Sequence, residues 1–366
     1  MFDVPLAVAL VAGLGASYLN PKWFWWAQFA AVVLPVLAGA FAVTTLGPIL
    51  FRRWGWLGFH GVLLLAVVLR TFPSERFTEA PAPAEGDLVV MTFNVPQSGP
   101  SADALADSMV ALLERERPDV LALQEAWVAA PEQARPGTRA VHVQAIEDRM
   151  PYELAVPPVL SSRSAWQRNA TGVPLFVREG ALEVLEQRAL NVGEAGDNDA
   201  SMAIRTHFRW RGREGVLYNV HLRSFGERKP WEDRLRPFEP GTWLPYLRQY
   251  RAAFKERGVE VDQIAELLEA ETLPVMVVGD FNGTPANWTY RRLRGDRVDA
   301  FRRAGVGTGH TYRADKPLVR IDFVLADTAW AVTEAHVSPV GFSDHRPVVA
   351  RLRWRAEGPP DAPEAE

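Results

Sequence analysis

Six short stretches place polar residues where very apolar sequence ends. Asn94 closes VVMTFN and Gln124-Glu125 closes VLALQE. Asn219 and His221 alternate in YNVHL, Asp280 and Asn282 in VVGDFN, Arg320 and Asp322 in VRIDFV, and Asp344-His345 stands in FSDHRPVV. Residues i and i+2 of a strand share a face, so Asp280 can act with Asn282, and Asn219 with His221. Buried without partners, such groups cost about 1–3 kcal/mol each, so they must meet one another, a metal or water. Asn94, Glu125, Asp280 and Asp344 offer three carboxylates and an amide, an oxygen-rich set suited to a hard cation such as Mg2+ or Mn2+. His221 and His345, with acidic neighbours, add proton transfer near neutral pH. A hard cation beside two such histidines is equipment for phosphoryl chemistry.

Each stretch alone has a blander reading. Asn94 makes a good strand-end Asx turn, Glu125 a solvated helix start, and D-F-N-G a plain turn. Asp322 could be a surface ion partner of little value, and His221 a hydrogen-bonded structural histidine. The elements that carry them argue for the joint reading. Short β-rich runs are expected at Asp87–Asn94, Val120–Gln124, Val173–Val177, Val216–Leu222, Pro274–Asn282, Ile321–Leu325 and Val348–Leu352. Helices are expected at Ala102–Glu116 and Tyr246–Glu271. Strands interleaved with helices make an α/β domain, in which sites gather at strand ends.

The order TFN, LQE, NVHL, GDFN, RIDFVL, SDHRPV resembles the endonuclease/exonuclease/phosphatase superfamily over about residues 87–353. Pancreatic-type deoxyribonucleases, apurinic endonucleases, neutral sphingomyelinases and inositol polyphosphate phosphatases are among its members. The resemblance implies a four-layered α/β sandwich, two mixed sheets face to face with helices outside. It further implies Glu125 as principal Mg2+ (or Mn2+) ligand with Asn94 beside it, and Asp344 assisting metal or water. Asp280 would orient or deprotonate the attacking water, and Asn282 hold a phosphate oxygen. His345, oriented by Asp322, would donate to the phosphoryl group or act as base, with His221 opposite the leaving group. Asn219 and Arg320 are taken as substrate or phosphate contacts. One departure stands out. Apurinic endonucleases carry a mid-chain catalytic tyrosine, and the sole candidate between Glu125 and Tyr218 is Tyr152, in a PYEL context that does not look like that motif.

Composition sets the frame. The chain has 366 residues, 48% apolar and 23% charged, enough to bury a core, which excludes wholesale disorder. With no cysteine, disulfides, thiolate catalysis and zinc ribbons are excluded. The net charge of −4 is unevenly spread: residues 1–70 hold one acid and four bases, +3, leaving −7 for the remainder. Charges divide that first part into uncharged runs of 18 (Val4–Pro21), 29 (Trp23–Phe51) and 16 residues (Trp54–Leu69). Crossing roughly 30 Å of hydrocarbon takes about 20 helical residues, and tryptophans open the second and third runs as interfacial belts do. Three membrane spans are therefore expected in residues 1–70. The start lacks the basic region of a signal peptide.

The expected organisation continues with a linker at 71–86, a catalytic domain at 87–356 and a disordered acidic tail at 357–366. The basic residues flanking the spans lean toward an extracytoplasmic catalytic domain on a bacterial inner membrane. A membrane-anchored, bacterial-type phosphodiesterase acting on lipid head groups or another surface-near phosphoester is the first functional expectation, a tethered nuclease the second, and an inactive scaffold the third. No obligate protein partner is inferred beyond the bilayer and the phosphoester. A nuclease needs phosphate-tracking bases, and two clusters qualify by composition: Arg228, Lys229, Arg234 and Arg236, and then Arg291, Arg292, Arg294, Arg297, Arg302 and Arg303. Between His221 and the long helix, Phe225 to Tyr250 mixes aromatics with Arg and Pro and is expected to overhang the site and select substrate.

Overall fold

The computed structural model describes residues 3–71, 79–95, 101–126, 128–129, 141–155, 170–193, 202–226, 239–313 and 319–355. The acidic tail, residues 72–78 of the linker, and residues 227–238 with the first basic cluster lie outside the described residues. An N-terminal helical region comes first: α1 (Asp3–Gly15), α2 (Pro21–Val32), α3 (Leu34–Thr44), α4 (Leu46–Leu50) and α5 (Trp54–Thr71). Then follow β1 (Leu88–Asn94), α6 (Ala102–Glu116), β2 (Val120–Gln124), β3 (Val128–Ala129), α7 (Val141–Arg149), β4 (Tyr152–Leu154), β5 (Ala170–Thr171) and β6 (Leu175–Arg178). The second half holds β7 (Glu183–Asn191), β8 (Met202–Trp210), β9 (Arg213–His221), α8 (Pro240–Glu269) and β10 (Val275–Asp280). It closes with α9 (Trp288–Arg294), β11 (Val298–Asp299), α10 (Ala300–Ala304), β12 (Asp322–Ala326), β13 (Trp330–Val337) and β14 (Val348–Trp354).

The strands form two six-stranded mixed sheets, ordered β13-β14-β1-β2-β6-β4 and β11-β12-β10-β9-β8-β7, plus a small β3-β5 ribbon. Each large sheet has one parallel pair at its centre, β1 with β2 and β9 with β10, while the other neighbours run antiparallel. Alternation along the strands splits the core. Val90, Val120, Leu217, Met276, Val324 and Trp330 pack between the sheets. Met91, Phe93 and Leu121 turn outward onto Met109, Leu113 and Ile146 of α6 and α7, and Tyr218, Val220 and Val277 onto Val261, Ile264 and Leu293 of α8 and α9. Helix, sheet, sheet, helix is the architecture the resemblance implied. At about 25 cal/mol per Å2 of apolar surface, the sheet-to-sheet burial is the main term holding the two halves of any inter-sheet site together.

The N-terminal region departs from three spans. α5 is 18 residues long, apolar, and only 11% buried, and it alone among the described residues is one helix both long and apolar enough to cross a membrane. α1 has 13 residues, about 20 Å of helix, and falls short. The 29-residue run is broken: α2 meets the α3–α4 stretch at a bend of 64°. Pro35 lacks the N–H that would carry the helix through this point, and Val33 leaves helical geometry just before it. α2 instead packs on α8, where Trp25, Phe29 and Val32 meet Tyr246, Tyr250 and Phe254.

Candidate active site

The C-terminal ends of the two parallel pairs face each other across the sandwich. Register sets Asn94 beside Gln124 in one sheet, and Asp280 between His221 and Asp322 in the other. Asn94, 3% exposed, bridges the sheets: its Nδ2 donates to Glu125 Oε1 at 3.2 Å and to Asp280 Oδ2 at 3.0 Å. Glu125 follows β2 with φ +58°, a left-handed kink, and keeps a third of its side chain exposed. Gly279 has φ +132°, and a Cβ there would stand 1.9 Å from the Val220 carbonyl oxygen. Only glycine lets β10 come this close to β9, the approach that sets Asp280 beside His221.

Asp280, 1% exposed, accepts from the Asn282 backbone N–H at 2.8 Å. Burial pushes its carboxyl up to about 6, Asp322 adds to the rise, and His345 and His221 offset it only in part. His345 Nδ1 lies 3.0 Å from Asp322 Oδ2, and its Nε2 points to Asp280 Oδ2 at 3.8 Å. Burial works against the imidazolium, but the Asp322 charge and hydrogen bond outweigh it and hold His345 up at about 10. His345 therefore stays protonated at neutral pH, a charged donor, while Asp280 is poised to take a proton. His221 Nε2 is buried and makes no hydrogen bond, although Glu125 Oε1 is 3.8 Å away and Asp280 Oδ2 3.9 Å away. An orphaned ring nitrogen aimed between two carboxylates marks where a ligand oxygen would sit.

Two donor sets compete for a cation. Ligand atoms of Asp280, Asp322 and His345 lie within 4.8 Å of one another, all three buried. That set is better read as an imidazole–carboxylate pair beside a base, because His345 already uses Asp322 and all three are closed to water. Glu125, Asn94 and Asp280 offer oxygens with one half-open member, which fits a hard cation that retains waters.

A sequence profile of the Endonuclease/Exonuclease/phosphatase family matches residues 91–345. The chain belongs to that family. No curated protein sequence matches the chain. Solved structures of the fold are similar. A family protein from Bacteroides thetaiotaomicron superposes at TM-score 0.51 with 15% identity, over 74% of this chain and 99% of that one. The mannosyl-6-phosphatase of the same organism gives 0.50 and 15%, over 73% and 100%. A family protein from Beutenbergia cavernae gives 0.50 and 18%, over 73% and 72%.

Within this family member, Asn94, Glu125, His221, Asp280, Asp322 and His345 converge, and four expected residues do other work. Arg320 is turned to a carboxylate of the fold: its guanidinium donates to both Asp299 oxygens, at 2.8 and 2.7 Å, in a buried pair. Asn219 is fully buried and ties the sheets, donating to the Leu123 and Val173 carbonyls at 3.0 and 3.1 Å and accepting from Gln124 at 2.7 Å. Asn282 has its amide hydrogens on the Leu222 carbonyl at 2.9 Å and Asp280 at 3.4 Å, and so braces Asp280 against the end of β9. Asp344 is exposed and belongs to no cluster of cation-binding groups among the described residues, acting on His345 through charge. Tyr152 donates to the Pro118 carbonyl at 2.7 Å from a buried position, a structural tyrosine.

Sequence reasoning missed Thr311, whose Oγ accepts from the N–H groups of Ile321 and Asp322 at 3.1 and 3.2 Å and so seats the start of β12. It also missed Tyr312, whose ring lies 4.9 Å from the His345 ring. Arg257 was missed too: fully buried, it donates from Nε to the Arg223 carbonyl at 2.8 Å and turns positive charge toward Asp280. Neither T-Y in a polar loop nor an arginine inside a charge-laced helix carries a signal at the sequence level.

Proposed function

We propose that the chain is a membrane-attached, divalent-metal-dependent phosphodiesterase that cleaves a phosphoester by direct attack of water. One observation carries the chemistry: a carboxyl poised near neutrality, Asp280, stands within 4 Å of two histidine Nε2 atoms, one on a histidine held protonated and one orphaned. Mg2+ or Mn2+ held by Glu125 and Asn94 would supply positive charge to the phosphoryl oxygens and a bound water near neutral pH. Asp280 accepts the proton of the attacking water. His345, kept cationic by Asp322, donates to a phosphoryl oxygen where charge accumulates. His221 faces the same space from β9 and protonates the departing alkoxide.

A substrate at a bilayer is favoured over nucleic acid by two arrangements. The described basic cluster is occupied internally: Arg292 pairs with Asp262 and Glu269, Arg294 and Arg297 bond backbone carbonyls, and Arg291 covers the Tyr18 ring at 4.2 Å. The segment that follows His221 ends in Phe225, which packs on Tyr250 and Phe254, the cluster that also holds Trp25 and Phe29. The site rim is thus continuous with the N-terminal helices. Their outer faces expose large apolar side chains, Val62 at 67% and Leu69 at 63% among them. Tethering at a surface raises the local concentration of a surface-held phosphoester. We place the protein in a bacterial inner membrane with the catalytic domain outside the cytoplasm.

The test uses the full chain in detergent or liposomes with Mg2+, and bis-p-nitrophenyl phosphate, mixed phospholipid and sphingomyelin vesicles, supercoiled plasmid and p-nitrophenyl phosphate as substrates. Metal-dependent hydrolysis of the diester and of vesicle lipid, abolished in Asp280→Ala, is the expected result. Plasmid nicking without lipid hydrolysis would transfer the proposal to nucleic acid, and monoester cleavage alone would refute the diesterase.

A further inference from the structure

The loop that follows Asp280 and Asn282 is held from outside the catalytic domain. The Thr284 N–H and hydroxyl donate to Asn287 Oδ1, each at 2.8 Å. Asn287, 1% exposed, turns its Nδ2 to the N-terminal region, donating to the Gln28 carbonyl at 3.0 Å and to Gln28 Oε1 at 3.2 Å. The Trp288 N–H, first in α9, donates to the same Oε1 at 3.0 Å. The other end of the Gln28 amide donates from Nε2 to the carbonyls of Ala16 and Leu19, both at 2.8 Å. Gln28 is itself 1% exposed, so one side chain of α2 joins the α1–α2 turn to the start of α9. Helix N-termini leave N–H groups without intrahelical partners. Asn287 does not cap α9 with its own side chain, and Gln28 supplies that acceptor from 260 residues away. Two further ties fix the same segment: Arg70 donates to the Pro285 carbonyl at 3.2 Å, and Ala286 packs into the apolar clusters of the N-terminal helices.

We infer that Gln28 is a positioning residue for the active site, through which the N-terminal helices set residues 283–288 and, behind them, Asn282 and Asp280. The link is short. Thr284 is two residues from Asn282, whose N–H holds Asp280 Oδ1 at 2.8 Å and whose amide ties to Leu222, next to His221, at 2.9 Å. Gln28 and the α1–α2 turn it holds precede residue 91, where the family match begins, so the N-terminal half of this clamp lies outside the matched region. Misplacing a reacting group by about 1 Å can cost up to 100-fold in rate, so a hydrogen-bonded clamp one turn away is placed to matter. The catalytic consequence rests on the proposed phosphodiesterase reading, whereas the clamp itself does not.

The experiment takes the full chain in detergent micelles as wild type, Gln28→Met, Gln28→Glu, Asn287→Asp and the double variant Gln28→Met/Asn287→Asp. Methionine keeps the length and apolar body of the side chain and removes the amide. Glutamate keeps the acceptor for Asn287 and Trp288 but loses the donor to the Ala16 and Leu19 carbonyls, and Asn287→Asp keeps the acceptor for Thr284 while removing the donor to Gln28. Two readouts are taken: kcat and KM on bis-p-nitrophenyl phosphate with Mg2+, and hydrogen exchange of the peptide covering 283–290, measured without substrate. Gln28→Met is expected to lower kcat about 10-fold or more with KM within twofold, and to speed exchange at Thr284 and Trp288 at least 10-fold. Gln28→Glu keeps the acceptor for α9 but sets a buried carboxylate against the Ala16 and Leu19 carbonyls, so it should lower kcat at least as far as Gln28→Met, and the double variant should be no slower than the worse of Gln28→Met and Asn287→Asp, since both break one link. Unchanged exchange in Gln28→Met overturns the clamp, and faster exchange with unchanged kcat overturns its positioning role. A wild type without activity on any phosphoester sinks the proposed function instead, and leaves the exchange measurement to judge the clamp.

Discussion

Asp322 makes no contact with the space where substrate would lie, yet replacing it with asparagine should reshape the pH dependence of catalysis. Its carboxylate lies 3.0 Å from His345 Nδ1 and is the largest influence holding that imidazole at about 10 against its burial. In Asp322→Asn the burial penalty is set against only the charges of Asp280 and Asp344. Taking these as cancelling returns His345 to roughly its ordinary value near 6.5. At pH 8 about one molecule in 30 would then carry His345 protonated, so kcat at that pH should fall about 30-fold. At pH 6 most molecules keep the proton, and the loss from this cause is less than about twofold. The acid side shifts as well, because Asp322 is second only to burial in raising Asp280 to about 6. Losing it lets Asp280 ionise at lower pH, so the rising limb moves down along with the falling one. The assay is kcat against pH from 5 to 10 at saturating Mg2+, for wild type and Asp322→Asn. Wild type should fall only well above neutral pH, and the variant should show both limbs displaced to lower pH than in wild type. An alkaline limb that stays above pH 9 in the variant, or an equal loss at every pH, would refute the assignment of His345 as a cationic donor.

Arg320→Met should leave Asp299 buried without its partner and cost about 3–5 kcal/mol in thermal or denaturant unfolding, while KM of the folded fraction stays at the wild-type value; a raised KM with intact stability would restore Arg320 as a phosphate contact. Gly279→Ala should lose activity and at least about 3 kcal/mol of stability, since a Cβ 1.9 Å from backbone cannot be relieved by a rotamer change; a melting temperature within 2–3 °C of wild type would disprove the close approach of β9 and β10. Glu116, held down near 2 against its burial by bonds to His336, Ser338 and Arg115, ties the end of α6 to β13, and His336 is raised in return. The carboxylate's contribution is full above about 4.5 and fades as pH falls toward 2, while that of the imidazolium is full below about 6.5 and fades above its raised value. Glu116→Gln should therefore cost most between pH 4.5 and 6.5, about 1–2 kcal/mol after allowing for the half-exposed His336, and a pH-independent loss would contradict the pairing.

The site was legible because its chemistry sits at strand ends. The apolar strands β1, β2, β9, β10 and β12 announce themselves by composition, and a polar residue directly after such a run has few bland homes. The edge strand β7 and its neighbour β8 escaped notice, although EVLEQRALN and MAIRTHFRW alternate in the way a half-exposed strand does. Their outward faces carry charge, and a reading tuned to continuous apolar runs passes over them. Role assignment failed where residue type was right but partner identity was not readable. Arg320 and Asp322 share a strand face, yet Arg320 takes Asp299, a residue 21 positions away whose proximity depends on how β11 pairs with β12. Asn219 is as polar as Asn94 and also follows apolar sequence. It lies two residues earlier on its strand relative to the sheet's end, and that offset puts it inside the sandwich instead of at the mouth.

The N-terminal region shows the same limit from the other side. By hydropathy, the run Trp23–Phe51 is an ample membrane span, and nothing charged interrupts it. Gln28 was the signal that the run also packs against the catalytic domain. An amide buried without partners costs several kcal/mol in an apolar medium, so its presence in such a run demands acceptors and donors nearby. Hydropathy averages it away, because one amide among so many apolar neighbours barely moves the mean. The structure supplies two backbone carbonyls on one side and Asn287 with the α9 terminus on the other, and so ties α2 to the surface of the catalytic domain. The same fact changes what a truncation would test. Removing residues 1–71 would strip α9 of its acceptor and uncover Tyr250, Phe254 and Ala286. Weak activity in such a fragment would report a damaged loop, not a wrong active site.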